Sequence, residues 1–381
     1  MGQAEQTSPT SQVRIGAFQL VTIFANLVYG KAIGFTNGAL ARTVGRDTWI
    51  AMAVAFLTGM ALIPAMVWLA RRTVGHGLVT YLKRLLGRPL GALVLLIFAG
   101  YFGVAFATSA NTATLHINDY LMTETPFMFF VIGYTLLIAY GVYLGLEVAG
   151  RLSVFGLLMT LLLTLSMVAG AFDKFDATQL LPFIDGGLLP TLAASAIAHT
   201  DVGMAVAAAL VLLPHSVGPP GRWVKLCWWG LASSGITVLV WSIFEIATLG
   251  PEVIGQYLIA CMQMARAAEL SIYLHRYEMI MVVMFFYGVV TQSVVTLYCA
   301  VLLTEGALPP KIKRSYLVAG WAALTVPLQF YLGSDRDQYG IFLETTWPVA
   351  SILLTYGLPL LLCLVALLRP SASAKGSTKS G

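Results

Sequence analysis

Two short stretches carry the side chains that could bind a charged guest in an otherwise apolar chain. In "YGKAIG", residues 29–34, Lys31 stands between Gly30 and Gly34; in "AHTDVG", residues 198–203, His199, Thr200 and Asp201 precede Gly203. An ammonium near the centre of a bilayer costs roughly 2.5–3.5 kcal/mol even on the lenient insertion scale, so it needs a partner or a wet cavity. Asp201 is the most economical partner for Lys31. Together they would form a buried ammonium–carboxylate couple that could grip a small polar guest, and that could also shrink or recharge the pocket. The blander alternatives stay open: glycines let membrane helices pack closely, and the lysine could snorkel or complete a purely structural ion pair.

The frame that must position these residues is a membrane one. The 381 residues are 58% hydrophobic and 10% charged, against roughly 25% charged in a soluble domain. A bilayer core about 30 Å thick takes about 20 apolar residues of helix. Such runs fall at 15–40, 48–70, 90–117, 127–145, 152–172, 188–214, 224–249, 271–304, 315–333 and 345–368, ten spans of which the eighth is long. Basic residues cluster in alternate loops: Arg71, Arg72, Lys83, Arg84 and Arg88 after span 2, Arg222 and Lys225 after span 6, and Lys311, Lys313 and Arg314 after span 8. The other loops are acidic, with Asp119, Glu124, Asp173, Asp176, Asp185, Asp335 and Asp337. The positive-inside rule then places both termini in the cytoplasm. The net charge of +5 is explained by this distribution and calls for no nucleic acid.

Residues 1–14 read as a cytoplasmic tail, 15–370 as the membrane domain, and 371–381 as a disordered Ser/Gly/Lys tail. Residues 74–91 have helical apolar spacing between charges and suit an amphipathic interfacial helix. Cys227, Cys261, Cys299 and Cys363 show no metal or CxxC spacing and read as packing residues. With no HExxH, GxSxG or nucleotide-loop motif, the chain reads as a non-enzyme without cofactor or metal.

Ten spans divide into five and five, over about 15–172 and 188–369, with span 1 and span 6 opening the halves. Span 1 holds Gly30, Gly34 and Gly38, and span 6 is rich in small residues. Matching interruptions in two halves point to an all-α inverted-repeat transporter fold, helices 1 and 6 broken, with a midplane site. Irregular backbone at that depth is tolerated where it lines a cavity, and its helix ends suit a zwitterion. The expected ligand site is therefore Gly30, Lys31, Ala32, Ile33 and Gly34 from span 1 with His199, Thr200, Asp201 and Gly203 from span 6, and Tyr101 of "AGYFG" as a wall. His199 and Tyr101 have packing roles as equal or better readings. Arg276 and Glu278, two apart at the mouth of span 8, do not face each other and read as gating or structural ion-pair residues. Glu245 reads as interfacial, and His116 with Asp119 as a loop mouth.

"ANLVYG" (25–30) with Ile33, "YLKRLLGRPLGALVLLIFAGYF" (81–102), "LPFIDGGLLP" (181–190), "ATLGPEV" (247–253) and "HRYE" (275–278) together resemble the spore-germination permeases. These are the B subunits of nutrient germinant receptors, within the amino acid–polyamine–organocation superfamily. The resemblance implies two inverted five-helix repeats of the LeuT type in a spore inner membrane. It also implies a complex with a membrane A subunit and a lipoprotein C subunit, and sensing of a small nutrient, typically an amino acid. The chain departs from the family pattern where Lys31 replaces a small residue, Asn37 stands at an expected proline, and Asp201 precedes Gly203 in place of a later glutamate. A proton- or cation-coupled amino-acid permease is the alternative, with the Lys31 ammonium in place of a coupling cation.

Overall fold

The computed structural model describes residues 15–75, 77–268, 277–309 and 312–369. Both expected tails, Lys311 and Arg276 lie outside the described residues. The described chain is almost entirely helical because a helix satisfies its own backbone polar groups where no water can.

Helix α1 (Ala17–Lys31) passes through a π-helical turn (Ala32–Thr36) into α2 (Asn37–Val44). A 3₁₀ turn, Gly45–Asp47, leads to α3 (Thr48–Arg71). Then come α4 (Gly77–Leu86), α5 (Arg88–Tyr120), α6 (Phe127–Leu144), α7 (Leu146–Ala171), α8 (Leu188–Leu212) and α9 (Trp223–Leu249). Two short helices, α10 (Pro251–Gln256) and α11 (Ala260–Ala267), precede α12 (Tyr277–Ala307) and α13 (Arg314–Ser334). The last stretch strings α14 (Arg336–Ile341), α15 (Trp347–Ile352) and α16 (Leu358–Leu368) together through π turns at Phe342–Thr346 and Leu353–Gly357.

Among the described residues nine helical runs are long and apolar enough to cross a membrane, where ten spans were expected. The difference lies in the first run, Ala17–Arg71, whose 55 residues would extend over about 80 Å as a straight helix. It is interrupted at Gly45, where φ of +55° takes the chain out of helical geometry and turns α2 into α3. The fifth apolar run begins earlier than expected. Gly145, with φ of +96°, turns the chain between α6 and α7 in one residue, so Glu147 and Arg151 lie within the helix.

Burial separates the centre from the rim. In the most apolar window of α8, 94% of residues are buried, against 28% for α6 and for α13. Helix α8 is therefore enclosed by the bundle, while α6 and α13 present faces such as Phe129, Leu136, Tyr143, Leu324 and Tyr331 outward. An exposed apolar belt of this kind suits lipid rather than water. The amphipathic segment forms α4 and buries Leu82 and Leu85, while Lys83 Nζ donates to the Gly306 carbonyl at 2.7 Å and satisfies an orphan acceptor at the end of α12. All four cysteines are free and buried.

Candidate functional site

Lys31 closes α1 and Asp201 sits midway along α8, each about 20 Å from the start of its helix. Lys31 Nζ donates to Asp201 Oδ1 at 2.7 Å and to Thr200 Oγ1 at 2.7 Å. Thr36 Oγ1 donates to the other carboxylate oxygen, Oδ2, at 2.6 Å, and the Thr200 hydroxyl donates onward to the Ile197 carbonyl at 2.8 Å. Asp201 is fully buried and Lys31 is 3% exposed. A buried ion pair survives the desolvation of both charges when hydrogen bonds satisfy what the pair leaves over. Here the two threonine hydroxyls do so.

The π turn explains how Lys31 and Thr36 reach one carboxylate. Residues five apart on an α-helix point about 140° away from each other. A π turn, with i→i+5 bonding, brings such residues toward one face, and π turns of this kind recur at functional sites. The expectation of a broken helix 1 is thus corrected: Ala32–Thr36 is wound wide rather than unwound. The expectation of a broken helix 6 is also corrected, because Leu188–Leu212 is an uninterrupted α-helix. Its alanines favour helix, and no proline interrupts it beyond the first turn.

The glycines serve packing. A Cβ on Gly30 would lie 2.5 Å from Gln292 Oε1 on α12; on Gly34, 2.9 Å from Thr112 Cγ2 on α5; on Gly38, 2.6 Å from the Tyr257 carbonyl. On Gly203 it would collide with Thr355 Oγ1. Ala32 and Ile33 are fully buried beside Lys31. Tyr101 stacks on Trp347 with centroids 5.3 Å apart and its hydroxyl is 3.4 Å from Ser351 Oγ. His199 Nδ1 donates to the Ser195 carbonyl at 2.7 Å, and its ring meets Tyr356 edge-on at 5.5 Å. The structure therefore brings Lys31, Thr200 and Asp201 into direct contact and sets His199 and Tyr101 against the last helical stretch. Glu278 is buried at the start of α12.

One residue went unread in the sequence and two were misplaced. Thr36 completes the ion pair. Glu245, expected at the interface, is fully buried: Asn37 Nδ2 donates to its Oε2 at 2.8 Å, Ser242 Oγ donates to Asn37 Oδ1 at 2.6 Å, and Glu245 Oε1 has no partner. A carboxylate within an apolar run was the available signal. His116, expected at a loop mouth, is buried against Phe35 and Phe285 and contacts Cys261 Sγ at 3.4 Å.

At the end bearing the acidic loops, Arg42 pairs with Glu344 at 2.7 Å and donates to the Gly255 and Tyr257 carbonyls. Arg336 pairs there with Asp119 at 2.6 Å. Side-chain and backbone ties thus join α2, α10 and the π turn before α15 at this end.

The multi-pass bundle, with its charged pair between the first and sixth crossings, has the LeuT-type fold. The fold is shared with a nucleobase-cation-symport-1 family transporter solved in a closed conformation with bromovinylhydantoin bound. The match has a TM-score of 0.63 and 14% identity over 92% of this chain and 80% of that one. A manganese transporter of Eremococcus coleocola matches with a TM-score of 0.62 and 14% identity, covering 97% of this chain and 81% of that one. MhsT in complex with L-phenylalanine matches with a TM-score of 0.59 and 13% identity, covering 96% and 99%. At these identities the likeness is one of fold. The chain belongs to the spore germination protein family, whose profile matches residues 14–333. Spore germination protein A2 of Bacillus subtilis is 27% identical over 183 residues, 47% of this chain and 49% of that protein, so the match spans about half the length of this curated relative. The family and the structural neighbours are membrane proteins of germination and transport, not enzymes.

Proposed function

We propose that the chain is the nutrient-sensing membrane subunit of a spore germinant receptor, and that it takes a small amino-acid-like molecule at mid-membrane between helices 1 and 6. The observation that carries this reading is the buried Lys31–Asp201 pair, held by Thr36 and Thr200 beside the π turn. A zwitterion exchanges one internal ion pair for two: its carboxylate takes Lys31, its ammonium takes Asp201, and Thr36 and Thr200 reorient around them. Backbone exposure contributes less than the sequence pattern implied, and the side chains contribute more. Tyr101 and His199 bound the site, and Gly30, Ala32, Ile33, Gly34 and Gly203 let the helices close upon it.

Such an exchange unties α1 from α8 when ligand enters, and a ligand shifts an equilibrium only by its differential affinity for the two states. The shift passes to a membrane A subunit and a lipoprotein C subunit in the spore inner membrane, with both termini of this chain cytoplasmic. In spores that depend on this chain for their nutrient response, Lys31→Ala abolishes germination at every nutrient concentration while the protein still accumulates in the membrane. A wild-type dose–response in that variant contradicts the proposal. Radiolabelled uptake into vesicles separates it from a coupled permease: saturable, Lys31-dependent accumulation without the A and C subunits establishes transport instead.

A further inference from the structure

An unassigned concavity lies toward the basic loops of the bundle, away from the ion pair. A cavity of about 730 Å³ opens where the α3–α4 connection, the chain after α8, and the first turns of α9 and α13 meet. That volume lies within the range of small-ligand pockets. Val79, Val211, Leu302 and Leu303 supply apolar walls, and among the described lining residues there is no aspartate or glutamate.

Two donors in its lining have nothing to donate to. Trp223 is 3% exposed, and its indole Nε1 has no hydrogen-bond partner. Arg314 lies over the Tyr298 ring at 4.5 Å, and its buried Nη2 has no partner either. Neither side chain can accept a hydrogen bond. A buried donor left unmatched is destabilising, more so on a charged group, and guanidinium geometry matches an oxyanion. The same end of the molecule carries Arg71, Arg72, Lys83, Arg84 and Arg222, which raise the local concentration of anions.

We propose that this cavity binds an amphiphilic phosphate ester: the Trp223 indole and the Arg314 guanidinium, whose unpartnered nitrogens lie covered in the cavity wall, turn so that phosphate oxygens accept from Trp223 Nε1 and Arg314 Nη2, and the apolar body lies against Val79, Val211, Leu302 and Leu303. The phosphate has two possible sources, the headgroup of an acidic phospholipid or a soluble alkyl phosphate. This site is independent of the nutrient reading of the Lys31–Asp201 centre.

The test uses the full chain purified in a neutral detergent. Thermal stability is titrated with dioctanoyl phosphatidylglycerol, with hexyl phosphate, and with zwitterionic dioctanoyl phosphatidylcholine. Saturable stabilisation by phosphatidylglycerol alone assigns the site to lipid; stabilisation by hexyl phosphate as well assigns it to phosphates of either source. In both cases Trp223→Phe, which keeps the ring and removes the donor, weakens the apparent affinity about tenfold or more, as expected for a hydrogen bond to a charged group. Arg314→Gln does the same, and Arg314→Lys lies between. Should Arg314→Gln fail to fold, Trp223→Phe decides. No stabilisation by either anion, an equal response to phosphatidylcholine, or an affinity that Trp223→Phe leaves unchanged overturns the proposal.

Discussion

Helices 1 and 6 make the instructive comparison. Each places a charge at its midpoint, Lys31 on one and Asp201 on the other, and each is rich in small residues there. Yet the first winds wide over Ala32–Thr36 while the second stays α-helical through Gly203. Glycine alone does not unwind a membrane helix. Gly30, Gly38 and Gly203 each answer a close neighbour instead: Gln292, the Tyr257 carbonyl and Thr355. The irregularity falls where two side chains five residues apart must serve one carboxylate. The centre is thus assembled from side chains on two dissimilar helices, one adjusted and one rigid.

The largest expected effect comes from removing one member of the pair. Lys31→Ala and Asp201→Ala each strand a buried charge and should destabilise by about 3–5 kcal/mol, read as a loss of thermal stability in detergent. Thr36→Val tests whether the wide turn serves the carboxylate. It removes one hydrogen bond to a charged group and should cost about 1.5–3 kcal/mol, while Thr43→Val, whose hydroxyl bonds only the Ala39 carbonyl, should cost less. Gly30→Ala asks whether helix 1 depends on close approach. With Gln292 Oε1 2.5 Å from the new methyl, overpacking should cost about 1–3 kcal/mol, whereas Gly133→Ala, with no neighbour within 4 Å, should leave stability unchanged or raise it. At the half-exposed rim, Arg336→Gln breaks the pair with Asp119 and should cost about 1 kcal/mol or less, and still less at high salt.

The membrane class, the apolar runs and the pairing of Lys31 with Asp201 were legible because each follows from composition or from the expense of one buried charge. The turn at Ala32–Thr36 was not legible, since local propensity does not encode which residues must share a distant partner. Glu245 was misplaced for a related reason. It stands one turn from the end of α9, but Asn37 of α2 reaches its carboxylate and α10 and α11 follow close behind the helix end. Distance along the chain from a helix end is no measure of depth when other elements cover that end. The break expected in helix 6 came from reading small residues as interruptions. In this bundle they form the tightest helix contacts, such as Gly59 of α3 against Val202 of α8.

A double-mutant cycle on Lys31→Ala and Asp201→Ala, with thermal unfolding of the purified chain as readout, tests the central claim most directly. Strong coupling is expected: the double variant is more stable than the sum of the two single losses allows, by about 2 kcal/mol or more. Additive losses would mean that the amine and the carboxylate do not hold the two helices together, and the nutrient site proposed between them would lose its foundation.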